Sequence, residues 1–227
     1  MSILNWIFIG LLVIDAGLVA ISLIKKIALM EKICCALFFP LALVHPPVLL
    51  LNFLPDSYHT FLITSIALAL IAAAFIFSAV SSKKVLRGIA YTLYFAGTAL
   101  WCELFRTIFY MQRIPQWSVI VIIAVCVLII AAVQILSGRK TLRMYFFTSL
   151  LAAIAELLAV LALLHMILED SSRGIMLFCG AILNLALVIF GMIDGFKLHI
   201  KKGMPIRMLA LTASQFLTAF SSILLFR

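Results

Sequence analysis

Eight uninterrupted apolar runs occupy most of the chain, at 3–24, 33–54, 60–80, 88–111, 117–137, 144–168, 174–196 and 205–226. At helical rise, about twenty residues cover the roughly 30 Å hydrocarbon core of a bilayer. Short polar stretches punctuate the runs, among them "KKIALMEK", "SSKKVLR", "SGRKTLR" and "EDSSR". Because the runs are continuous and do not alternate, a β-barrel is disfavoured. The pattern predicts an all-α polytopic membrane protein, a bundle of eight transmembrane helices forming one domain over 1–227. Composition agrees, with 67% hydrophobic and 11% charged residues where a soluble domain has about half and about a quarter.

The placement of charge carries more information than its total of +9. Alternate connections hold Lys25, Lys26 and Lys32; Lys83, Lys84 and Arg87; Arg139, Lys140 and Arg143; and Lys197, Lys201, Lys202 and Arg207. The other side holds Arg113, Arg173 and Arg227. The positive-inside rule then makes the odd connections cytoplasmic and puts both termini outside, as in a multi-pass protein of the cytoplasmic (inner) membrane. No basic arm or aromatic-interleaved basic face points to nucleic acid. The N-terminal "MSILNWIFIG" lacks a basic leader and a clear cleavage site, so the first run is read as a retained helix. All five cysteines lie in or beside apolar runs without CxxC spacing, which predicts reduced, buried thiols.

Polar and ionisable groups inside these runs are the candidates for function. Asp15, His45, Glu156, Asn184 and Gln215 fall near the middle of their predicted helices, where a charge facing lipid costs roughly 2.5–3.5 kcal/mol. They are therefore expected to turn inward. Glu103 and Arg106 are three residues apart, so they share a helix face and can pair; both are expected to line the interior. Asp194, Gln134 and His165 are placed nearer the interfaces. Glu156 sits in "LLAAIAELLAVLALLH", where Ala152, Ala155 and Ala159 permit close approach of another helix. As a neutral acid it would serve as a hydrogen-bond donor, proton carrier or general acid.

His45 follows Pro40 and precedes Pro46 and Pro47. Interior prolines remove backbone donors and free carbonyls to face a cavity, so His45 is expected at a polar hinge. The four histidines fall at different depths without HxxxH or HExxH spacing, and no metal or other cofactor is expected. Phosphate-binding loops, dinucleotide fingerprints and nucleophile elbows are absent. His45 and Glu156 are 111 residues apart and Glu103 and Gln215 are 112 apart, but little similarity surrounds them and no repeat is assigned.

Four stretches are similar to motifs of the YhhN-type lysoplasmalogenase family: "FPLAL" at 39–43, "FSAV" at 77–80, "GAIL" at 180–183 and "ASQFLTAFSS" at 213–222. The layout of eight short-looped helices resembles that family as well. The resemblance implies hydrolysis of the vinyl ether of a lysoplasmalogen, releasing an aldehyde and a glycerophospho-headgroup. Such chemistry needs an acid on the vinyl carbon and a base for water. Phe39 stands at the family's lysine, and Leu187 and Val188 at its Ser-Asp pair; Ser81 and Ser82 replace its Gly-Asp. Pro40 and Gln215 carry over. With the family aspartates unmatched, Glu103 and Glu156 are the acidic residues that would substitute as catalytic groups. His45, Arg106, Asp15, Asn184 and Gln215 would then bind the substrate.

Two further readings compete with this one. Mid-depth polar groups also suit a small-molecule or proton-coupled transporter. A non-catalytic membrane partner would use the same groups only to fix helix packing. Membrane lipids are the expected partners in every case.

Overall fold

In hydrocarbon a backbone must satisfy its own hydrogen bonds, which leaves the helix as the natural state of each apolar run. A computed structural model describes residues 3–27, 29–30, 33–34, 37, 42, 58–80, 84–109, 116–137, 142–169, 172–194 and 203–225. Among these residues the chain is all-helical. Its elements are α1 (Ile3–Lys25), α2 (Tyr58–Val80), α3 (Lys84–Phe109), α4 (Gln116–Ser137), α5 (Leu142–Glu169), α6 (Ser172–Asp194) and α7 (Gly203–Leu225). Most of the predicted second run, with Pro40, His45, Pro46 and Pro47, lies outside the described residues, as do Lys32 and most connecting basic residues.

Helix ends follow local chemistry. Lys26 takes a left-handed conformation, φ 56°, directly after α1. The Ile27 N–H donates to the Ser22 carbonyl at 3.0 Å, which closes the helix by a Schellman turn. Pro205 falls in the first turn of α7, where its missing N–H is of no consequence. α3 begins at Lys84, four residues before the apolar run starts at 88. Helical hydrogen bonding does not stop where apolarity does, so hydropathy placed that start late.

Of the described helices, α2, α5 and α6 contain stretches long and apolar enough to cross a membrane: Tyr58–Ser78, Phe146–Ile167 and Arg173–Phe190. α2 packs on α3, α3 on α5, α5 on α6 and α6 on α7, while α4 lies against α5 and α6. Ala67, Ile71, Trp101, Phe105, Ala155, Leu158, Leu177 and Ala181 form one buried apolar cluster. Buried beside it are Thr64, Thr98, Glu156, His165, Asn184, Ser214, Gln215 and Thr218. Meanwhile Trp6, Ile14, Ile24, Ile120, Leu128 and Ile167 are exposed. Polar groups inside and large apolar groups outside is the arrangement suited to a lipid solvent.

Small residues set the spacing. A Cβ on Gly97 of α3 would lie 2.6 Å from Ile71 Cγ1 and 2.9 Å from the Ala67 carbonyl oxygen of α2. A Cβ on Gly180 of α6 would lie 2.9 Å from Thr218 Oγ1 and 3.0 Å from the Ser214 carbonyl oxygen of α7. Gly97→Val should therefore force α2 and α3 apart and cost about 1–3 kcal/mol. Gly88→Ala, which meets nothing within 4 Å, should cause no loss. Thermal unfolding of the two variants in detergent checks this; equal midpoints would contradict the packing.

Candidate functional site

Helix geometry gathers polar side chains from α3, α6 and α7 into one buried chain of hydrogen bonds. Tyr94, Thr98, Trp101 and Phe105 recur along one face of α3 at helical spacing. Ser214, Gln215, Thr218, Ser221 and Ser222 form a matching stripe on α7, all fully buried. The Trp101 indole N–H donates to Gln215 Oε1 at 2.9 Å. The Gln215 amide donates to Asn184 Oδ1 at 3.3 Å, and the Tyr94 hydroxyl donates to the same oxygen at 2.6 Å. Local bonds brace the ends: Thr98 donates to the Tyr94 carbonyl at 2.9 Å, and Ser214 to the Gly180 carbonyl at 2.8 Å.

An aromatic stack continues the layer toward α5. Trp101 and Phe105 stack with centroids 6.0 Å apart, and Phe105 meets the edge of His165 at 6.0 Å. His165 Nε2 lies 3.4 Å from the Phe105 carbonyl oxygen. His165, near the end of the Phe146–Ile167 stretch, is thus turned into the core. Axial rise measures depth alone and says nothing about which way a side chain faces.

Glu156 is buried on α5, and neither of its carboxyl oxygens has an oxygen or nitrogen partner. Its polar neighbour is the Cys126 thiol of α4. Helix register supports this placement: Gln134 of α4 donates to Thr148 of α5 at 3.0 Å, and eight residues further along the antiparallel pair, about two turns, Cys126 comes level with Glu156. The register of α5 and α6 is fixed by Gly174, whose Cβ would lie 2.7 Å from Met166 Cα. Asn184 lies ten residues beyond Gly174, and Glu156 ten residues before Met166. The two therefore stand at the same height on adjacent helices. Val188 and Ile189 packing on Leu151 and Ala152 agrees with that register.

Glu103 and Arg106 turn away from this layer. Glu103 and Arg106 do pair, with Nε–Oε2 at 2.8 Å and a second contact to Oε1 at 2.7 Å. Their side chains are 49% and 52% exposed, however, so they do not line the interior. Trp101, Cys102, Leu104 and Phe105 take the inward positions on this turn, which leaves Glu103 and Arg106 on the outer face. A bidentate pair cancels much of its own charge, which makes that outward position tolerable. Asp15 is buried on α1, its Oδ2 without a hydrogen-bond partner, and Cys34 is a titratable neighbour. His45 lies outside the described residues. No group of three metal-ligating side chains occurs among the described residues.

Asn184 and Gln215, both expected from the sequence, are therefore joined directly, and Glu156 shares their layer. Tyr94, Trp101 and Cys126 were not anticipated. A helical-wheel signal existed for the first two, since hydrogen-bonding aromatics recur with Thr98 on one face. Comparison of the chain with family models, curated protein sequences and solved structures finds no match in any of the three.

Proposed function

We propose that this chain is a multi-pass protein of the cytoplasmic membrane that takes a lysolipid into its interior, where Glu156 hydrolyses a vinyl ether. Eight spans and extracytoplasmic termini complete the reading. Support for the topology comes from the alternation of basic connections, thirteen of seventeen Lys and Arg falling on one side. Reporter domains fused to either end should be active only outside the membrane; activity inside would reverse the orientation.

The observation that carries the chemical reading is a mid-span carboxyl, buried beside the Cys126 thiol and without an oxygen or nitrogen partner. A group held this way is free to exchange a proton with a substrate. One carboxyl can supply both steps in turn. As the acid, Glu156 gives its proton to the vinyl carbon distal to oxygen, leaving an oxocarbenium ion. As the conjugate base, it takes a proton from the water that adds to that ion. The resulting hemiacetal collapses to an aldehyde and the glycerophospho-headgroup alcohol, with Glu156 protonated again. Glu103 is not needed, which accords with its outward position. Resemblance of "ASQFLTAFSS" to the lysoplasmalogenase final helix supplies the substrate class, and Gln215 of that stretch belongs to the buried network.

Purified protein in nanodiscs should release aldehyde from a lysoplasmalogen. Glu156→Gln should abolish that release, and Glu103→Gln should leave it unchanged. Activity surviving Glu156→Gln would defeat the assignment. A second reading, a proton-coupled carrier, is favoured by the mid-depth position of the same carboxyl. Its signature would be substrate-driven proton uptake by liposomes, lost in Glu156→Gln, with no aldehyde formed.

A further inference from the structure

Donors and acceptors in the buried network can be ordered from one end. An indole N–H can only donate. The atom of Gln215 facing Trp101 must therefore be its carbonyl oxygen, which turns the Gln215 amide nitrogen toward Asn184. That nitrogen can only donate, so it faces Asn184 Oδ1. The Tyr94 hydroxyl takes the second lone-pair position on the same oxygen. Asn184 is thereby locked in one of its two amide orientations. Its Nδ2 is left fully buried with no acceptor, at the height of the Glu156 carboxyl.

Leaving a buried donor without a partner is costly, and an aliphatic side chain at this site would avoid that cost. We propose that Asn184 is a pre-oriented donor for a single acceptor oxygen of an amphiphilic ligand, with Trp101, Gln215 and Tyr94 as the residues that position it. Glu156 stands at the same height on the neighbouring helix. In a lysolipid the matching group is the ether oxygen at the head of the chain. A site that hydrogen-bonds an oxygen discriminates strongly against an analogue lacking it, because its own donor is then stranded. The ligand class rests on the lysoplasmalogenase-like reading, but the donor makes a claim about binding rather than turnover.

The test compares two lysophosphocholines that acid cannot cleave: a saturated 1-O-alkyl ether, and the same lipid with the ether oxygen replaced by methylene. Wild-type protein in nanodiscs should bind the ether roughly tenfold more tightly, the worth of about one buried hydrogen bond. Asn184→Leu should keep its affinity for the methylene lipid and lose the preference. Trp101→Phe, which frees Gln215 to turn over, should reduce the preference with Asn184 still in place. Retained affinity for the methylene lipid reports a folded protein in both variants. Equal binding of the two lipids by wild type, binding of neither, or a preference that survives Asn184→Leu would overturn the proposal. Discrimination without aldehyde release from the vinyl ether would uphold the donor and remove only the hydrolytic step.

Discussion

The hydrogen bond from Trp101 to Gln215 is the contact on which the interior depends. It joins α3 to α7, and its direction is fixed because an indole has nothing to accept with. Every orientation downstream follows: the amide of Gln215, then that of Asn184 on α6, then the hydroxyl of Tyr94 returning to α3. Three helices are thus held by one closed circuit of polar contacts. Without water to compete, such a circuit specifies one packing and penalises slippage by a residue, since slippage would strand several groups together.

Packing and polarity support each other here. Gly97 lets α2 lie against α3, and Gly180 lets α7 approach α6 closely enough for Ser214 to reach the Gly180 carbonyl. Alanines on α5 do the same around Glu156, where Ala152, Ala155 and Ala159 are all buried. Close approach of backbones is what makes short side chains able to bond across helices. The small residues therefore place the polar layer, and the polar layer in turn fixes their register.

Much of this was legible in the sequence, for reasons that also explain what was not. Among the described residues, seven of the eight apolar runs coincide closely with helices, because apolarity and helix coincide where hydrocarbon is the solvent. Asn184, Gln215, Glu156 and Asp15 were expected inside and are buried, since cost alone dictates which way an isolated mid-span polar group turns. Glu103 and Arg106 obey a different balance. Three-residue spacing revealed their pairing, but a pair that satisfies itself is under little pressure to turn inward, and its neighbours decided the matter. Tyr94 and Trp101 escaped notice because each is apolar enough to be read as packing. Their polar ends matter only once α6 and α7 stand opposite, and no spacing within α3 encodes that.

The most direct measurement is a nitroxide scan along Arg173–Phe190 in nanodiscs, reading access of lipid-soluble oxygen and of a water-soluble nickel complex at each position. A chain with a polar interior and a lipid-facing exterior predicts a helical period in oxygen access. Access should be lowest at Leu177, Ala181 and Asn184, and highest at Ile175, Ile182 and Phe190, with nickel largely excluded from the middle of the helix. A profile of opposite phase, or nickel reaching Ile182 as freely as oxygen, would contradict the account.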